Sequence, residues 1–153
     1  KSVLLAIGRR GTPRTLGVPG EELPKVVYRL IDAEQYAGRN VLVVGGGDSA
    51  IEAACQLAEQ PGCKVTLSYR GRAYARARAR NRENIARMVN EGRIEELLDS
   101  RVVAIAHGEV TIEREGQLLK AANDDVIVCA GGILPTRFLH DMGIEVETKF
   151  GTV

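Results

Sequence analysis

The chain has 153 residues, enough for one domain with a core of its own. Its 44% hydrophobic and 27% charged residues are the mix of a soluble globular protein, and a net charge of +1 supplies no overall field to draw it onto nucleic acid or a membrane. No apolar run approaches the ~20 residues that span a bilayer, and no signal-peptide pattern opens the chain. Cys55, Cys63 and Cys129 are odd in number and without paired spacing, which argues against a disulfide framework and for a reducing, cytoplasmic setting.

The chain begins at Lys1 directly before the apolar run Val3 to Ile7 and stops at Gly151-Thr152-Val153, so both ends read as cuts through a longer protein. Residues 3–7 predict a short buried strand, followed by a loop carrying Gly11, Pro13, Gly17, Pro19 and Gly20. Residues 28–37 predict a short helix stopped by Gly38. Val41 to Val44 is a continuous apolar run, as expected of a parallel strand buried on both faces. Gly45-Gly46-Gly47 breaks it. From Asp48 to Gln60, the residues Ala50, Ile51, Ala54, Leu57 and Ala58 fall on one helical stripe, and Pro61-Gly62 ends it. Val65 to Tyr69 returns as a strand, completing a βαβ unit over 41–69. A helix is expected over 82–91, then short strands at 94–98, 101–106, 109–115, 117–121 and 126–130. The fold class is α/β: a Rossmann-like parallel sheet with helices, followed by an antiparallel β-meander.

Gly45-Gly46-Gly47-Asp48-Ser49-Ala50 fits G-x-G-x-x-A at a strand–turn–helix junction. Gly45 allows the tight turn, Gly47 lets a pyrophosphate approach the backbone, and Ala50 lets the helix pack closely on the strand. The helix N-terminus offers unpaired N–H groups and partial positive charge to phosphates. Asp48 and Ser49 also suit a helix start, so simple capping is the competing explanation for them.

A site for NAD or FAD calls for a carboxylate ~20 residues further on, to bind ribose hydroxyls. No Asp or Glu occurs between Gln60 and Arg82; the strand ends instead at Tyr69-Arg70-Gly71-Arg72, with Arg76, Arg78, Arg80 and Arg82 beyond. A guanidinium matches a 2′-phosphate with charge-assisted hydrogen bonds. At about 1.5–3 kcal/mol each, one or two would favour NADPH by roughly one to three orders of magnitude. Arg70 is the first candidate for this contact and Arg76 the second; a solvated surface is the alternative for the rest of the run.

Three blocks resemble the NADPH domain of thioredoxin-reductase-like flavoproteins within the pyridine nucleotide-disulfide oxidoreductases. Leu5 to Pro13 with Gly17-Val18-Pro19-Gly20-Glu21 resembles the segment leaving the FAD domain. Gly45 to Ala50 with Glu52 resembles the GGGDSAxE loop, and Val128 to Pro135 resembles the segment re-entering the FAD domain. The resemblance implies that 1–20 leaves the FAD domain, that 21–130 is an inserted NADPH-binding domain and that 131–153 re-enters the FAD domain. It also implies that Gly45, Gly47, Asp48, Ser49 and Ala50 line the pyrophosphate and nearby ribose, and that Arg70 and Arg76 take the 2′-phosphate. Glu52 would lie toward the nicotinamide or be an ordinary exposed helix carboxylate. Gly131, Gly132 and Pro135 would close one wall or simply shape a turn.

Where thioredoxin reductases proper carry a C-x-x-C redox pair, this chain has Tyr28 and Ile31. The three cysteines therefore read as structural. The resemblance then implies a parent that passes electrons from NADPH through FAD to ferredoxin, an iron–sulfur module or a disulfide protein; a homodimer is compatible with it. Hydride transfer between two rings requires alignment rather than a protein acid or base, so no catalytic residue is expected here. His107 and His140 read as surface or turn residues. The competing reading is a nucleotide-sensing or interaction domain that has kept the fold without catalysis. Strands 3–7 and 126–130, if exposed, could pair with each other or swap between copies.

Overall fold

The computed structural model describes residues 12–133 and 136–145, apart from the side chain of Arg137; the expected strand 3–7 and Pro135 lie outside the described residues. The chain divides into a compact unit Thr15–Gly131 and a second unit drawn from its two flanks.

The larger unit runs β1 (Val26–Val27), β2 (Asn40–Val44), α1 (Asp48–Ala58), β3 (Lys64–Tyr69), α2 (Ala79–Asn90), β4 (Ile94–Leu98), β5 (Ser100–Ile105), β6 (Glu109–Arg114), β7 (Gln117–Ala122) and β8 (Asp125–Val128). Five strands form a parallel sheet in the order β1-β8-β2-β3-β4, and β5-β6-β7 form a separate antiparallel sheet. From β2 the chain builds outward through α1 to β3 and through α2 to β4, whereas β8 enters on the other side of β2. Such a reversal is where open α/β sheets leave a crevice at the carboxyl ends of their strands.

Side-chain alternation along the strands decides what covers each face. Val41, Val43 and Ile127 point into a core with Ile51, Ala54 and Leu57 of α1 and Ile85 and Met88 of α2. Leu42, Val126 and Val128 point the other way, against Val102, Ile105, Val110 and Ile112 of the antiparallel sheet. The parallel sheet is thus sandwiched, which is why β2 and β8 are apolar at successive positions.

Three expectations need correction. Residues 28–37 do not form a helix: only a 3-10 turn, Glu34–Tyr36, is present. Ile31, needed for a buried face, is 87% exposed, and Asp32 Oδ1 accepts the Glu34 N–H at 3.0 Å, a local side-chain bond that competes with helix. The strands expected at 94–98 and 126–130 are β4 and β8 of the parallel sheet, so the antiparallel part is confined to β5–β7. Nor is 126–130 an exposed strand, because β8 lies between β1 and β2.

In the smaller unit, Pro13 and Gly132 form an isolated antiparallel bridge, and the Ile133 N–H bonds to the Thr12 carbonyl at 2.9 Å. A short helix, α3 (Thr136–Asp141), follows and leaves Phe138 and Met142 exposed.

Candidate functional site

The turn from β2 into α1 sits at the carboxyl edge of the parallel sheet, beside the reversal point. The Gly45 N–H bonds to the Ser68 carbonyl at 3.0 Å, and the Cys129 N–H to the Val44 carbonyl at 2.7 Å, tying the turn to the ends of β3 and β8. Gly45 has φ +147°, and a Cβ there would lie 2.5 Å from the Cys129 carbonyl oxygen and 3.0 Å from the Ala50 methyl. Both conformation and packing therefore require glycine at 45, and Ala50 is buried against it. Gly47 differs. It is the N-cap of α1 with φ −100° and ψ 179°, a conformation open to any residue, and a Cβ would meet no atom within 4 Å. Among the described residues nothing packs against that position, and what remains is the modest N-cap preference for glycine over alanine. No side chain caps α1, and Ser49 in its first turn is exposed.

The Asp48 side chain does not cap its own helix. Its Oδ1 accepts the backbone N–H of Arg78, the N-cap of α2, at 2.9 Å, and an Nδ2–H of Asn81 at 2.7 Å. The Arg78 N–H first, and the Asn81 amide next, hold the Asp48 carboxyl below its ordinary pKa. Asn81 Nδ2 also donates to Glu52 Oε1 at 2.9 Å, so Glu52 is an exposed helix carboxylate tied to α2. Sequence reasoning missed Asn81; its only signal was a polar residue on the inward stripe of an arginine-rich helix, where it is buried.

A second missed residue is Tyr69, at the end of β3. Its ring fills the space beside Gly46, where any Cβ would collide with it, and a Cβ on Gly71 would come within 2.6 Å of it. It stacks on the buried Tyr74 with centroids 5.6 Å apart and planes 15° from parallel. Two of the glycines around this turn are thus spaces for one aromatic ring.

The arginine run sorts into two groups. Arg72 pairs with Asp99 at 3.3 Å, Arg78 lies 3.7 Å from Asp48, and Arg82 donates to the Ala77 carbonyl at 2.6 Å. Arg70, Arg76 and Arg80 are exposed and form no ion pair among the described residues. Arg70 comes two residues after Ser68, whose carbonyl holds Gly45. Gly131 is exposed with φ +90°, two residues past the Cys129 carbonyl that abuts Gly45; Gly132 belongs to the smaller unit.

The three cysteines are unpaired. Burial pushes the Cys129 thiol up to about 11 and raises Cys55 and Cys63 as well, the opposite of an activated thiolate. Among the described residues no group of His, Cys, Asp and Glu could hold a metal, and no helix is long and apolar enough to cross a membrane. Two cavities, of about 340 and 230 Å³, lie at the opposite, amino end of the parallel strands, lined among others by Cys63, Lys64 and Arg93 and by Asn40, Thr66 and Asn123. They are remote from the glycine turn.

A parallel sheet reversing at a strand–glycine-turn–helix junction defines a Rossmann-like domain. Residues 1–152 match the family model for pyridine nucleotide-disulphide oxidoreductases, and the chain belongs to that family. It is 34% identical to a ferredoxin–NADP reductase of Ignicoccus hospitalis over 97% of this chain and 49% of that protein. The bacillithiol disulfide reductase Bdr of Bacillus cereus superposes with a TM-score of 0.84 at 30% identity, over 89% of this chain and 42% of that one. A thioredoxin reductase of Lactococcus lactis gives 0.73 at 27% identity, over 85% and 45%. These relatives are oxidoreductases. The chain spans about half the length of the curated relatives it matches.

Proposed function

We propose that this chain binds NADPH and presents its nicotinamide to FAD within a thioredoxin-reductase-like flavoprotein. The observation that carries the reading is Gly47: among the described residues neither conformation nor packing requires glycine there and its N-cap advantage over alanine is modest, whereas a phosphate approaching the backbone does require it. The uncapped start of α1 adds N–H groups and positive potential at the same place. Gly45 and Ala50 shape the turn, and Asp48 and Ser49 stand beside the pyrophosphate and ribose. Arg70 and Arg76, exposed and without an ion pair among the described residues, supply the cations for a 2′-phosphate. When both cofactors are bound, a hydride passes from the nicotinamide to the flavin. The protein's share is to hold the adenine end at 45–50 and 70–76, so that the nicotinamide reaches a fixed position; it needs no acid or base for this. Glu52 serves in the anchoring of α2 rather than at the reacting ring.

The reading extends to the rest of the molecule. Residues 1–20 and 131–153 lead out of and back into an FAD domain, with 21–130 as the inserted nucleotide domain. The cysteines are unpaired and burial raises each thiol, so none is poised to take electrons itself, and the acceptor would be ferredoxin, an iron–sulfur module or a disulfide protein. Free thiols and the absence of a paired spacing fit a cytoplasmic setting.

Titration of the intact protein with NADPH and NADH, repeated on Arg70→Ala, tests this. The expected result is tighter binding of NADPH and loss of that preference in the variant. Equal binding of both, unchanged by the substitution, would refute the NADPH assignment.

A further inference from the structure

The arginine-bearing segment between β3 and α2 is fastened to the glycine turn at both of its ends. At the first end the Tyr69 ring lies against Gly46 and Gly71 and stacks on Tyr74. At the second, Asp48, the first residue of α1, accepts the N–H of Arg78. Asn81 completes this second fastening. Its side-chain Nδ2 carries two hydrogens, and the two acceptors within reach are Asp48 Oδ1 at 2.7 Å and Glu52 Oε1 at 2.9 Å. Asp48 and Glu52 stand four residues apart on one face of α1, where like charges repel. A neutral amide donating to both offsets that repulsion and orients the Asp48 oxygen toward the Arg78 N–H. Asn81 is itself only 8% exposed, in the first turn of α2, with its own N–H on the Arg78 carbonyl at 3.0 Å.

We infer that Asn81 is a positioning residue for discrimination between NADPH and NADH. Held by Asp48 and Glu52, it fixes the end of the segment that carries Arg70 and Arg76, and so sets where those cations stand relative to the start of α1. The inference rests on the reading that 45–50 and Arg70 hold NADPH. The pyrophosphate and the 2′-phosphate hang from one ribose, so the two protein elements that receive them must stay within a limited range of spacing. Among the described residues Arg70 and Arg76 have no ion pair to keep that spacing for them. The Asp48–Arg78 and Asn81 contacts do so from behind.

The experiment is calorimetric titration of the intact protein with NADPH and with NADH, on Asn81→Ala, Arg70→Ala and the double variant. Asn81→Asp serves as a same-shape variant that faces two carboxylates with a third. Asn81→Ala is expected to lower the NADPH-to-NADH affinity ratio at least about threefold, the smaller end of coupling between residues sharing a network. Asn81→Asp is expected to lower it further. In the Arg70→Ala background the Asn81 substitution should lower the ratio by a smaller factor than in the unsubstituted protein, because only Arg76 remains for it to position. A purely structural role would weaken both nucleotides by one factor; that outcome, or an equal drop of the ratio in both backgrounds, overturns the inference. If Arg70→Ala itself keeps the full preference, the NADPH reading fails and this inference with it. Loss of preference in Arg70→Ala but not in the Asn81 variants sinks the inference alone.

Discussion

Replacing Gly47 and Gly45 by alanine, one at a time, separates glycine kept for a ligand from glycine kept for the fold. At 47 the new methyl meets no atom of the described residues within 4 Å, and φ −100° is ordinary for alanine. Alanine is a poorer N-cap than glycine by about 0.5–1 kcal/mol, while the loss of unfolded-chain freedom returns about 0.4–1 kcal/mol. The two nearly cancel, so Gly47→Ala should change folding stability by less than about 1 kcal/mol. At 45 the methyl meets the Cys129 carbonyl oxygen at 2.5 Å with φ at +147°. Backbone strain of about 1–3 kcal/mol joins overpacking of about 1–3 kcal/mol, giving a loss of about 2–6 kcal/mol from a total that is typically 5–15 kcal/mol. Urea denaturation measures the stabilities and NADPH titration the affinities. Gly47→Ala is expected to fold normally yet bind NADPH at least about tenfold more weakly, a 1.4 kcal/mol effect. Gly47→Ala with wild-type affinity would refute the argument that an approaching phosphate explains the residue.

Two further outcomes are expected. Asp48 is held below its ordinary pKa by the Arg78 N–H and then the Asn81 amide, and Asp124 by the backbone and then the side-chain N–H of Asn40. A carboxylate whose folded pKa is depressed adds stability that is complete above its unfolded pKa, near ~4, and is lost as pH falls through the folded value. Unfolding free energy should therefore decline below pH ~4, and Asp124→Asn should make that decline shallower; an identical acid limb in the variant would contradict the assignment. With its thiol pushed up to about 11, Cys129 should react slowly with a thiol reagent at pH 8. In a Cys55→Ser/Cys63→Ser background the rate should be about 200-fold below that of free cysteine, from thiolate fraction alone; a rate near the free value would contradict burial as the cause.

How much could be read before the structure follows from what is local. The unit β2–α1–β3 was legible because an apolar run, a glycine turn and a 3.6-residue stripe are each coded within a few neighbours. The antiparallel strands and α2 were legible for the same reason, with α2 starting at Ala79 rather than 82. Sheet membership was not: β4 and β8 look like the strands around them, and only tertiary pairing assigns them to the parallel sheet. β1 is two residues long and carries no period at all. The failed helix at 28–37 had enough apolar residues, but Ile31 projects outward and Asp32 closes a turn. At the candidate site, the glycine turn was visible as a motif, and Arg70 is proposed from a missing carboxylate. Asn81 and Tyr69 were not, because Asn81 acts on residues 29 and 33 positions away through one amide, and Tyr69 on Gly46, 23 positions away, through one ring.

The most direct test of the central claim is the comparison of NADPH with NADH on the intact protein and on Arg70→Ala. If Arg70 reads the 2′-phosphate through one or two charge-assisted bonds, NADPH binds at least about tenfold more tightly, and the variant brings the two nucleotides together. Equal affinities in the unsubstituted protein, or a preference that survives Arg70→Ala intact, would contradict the account.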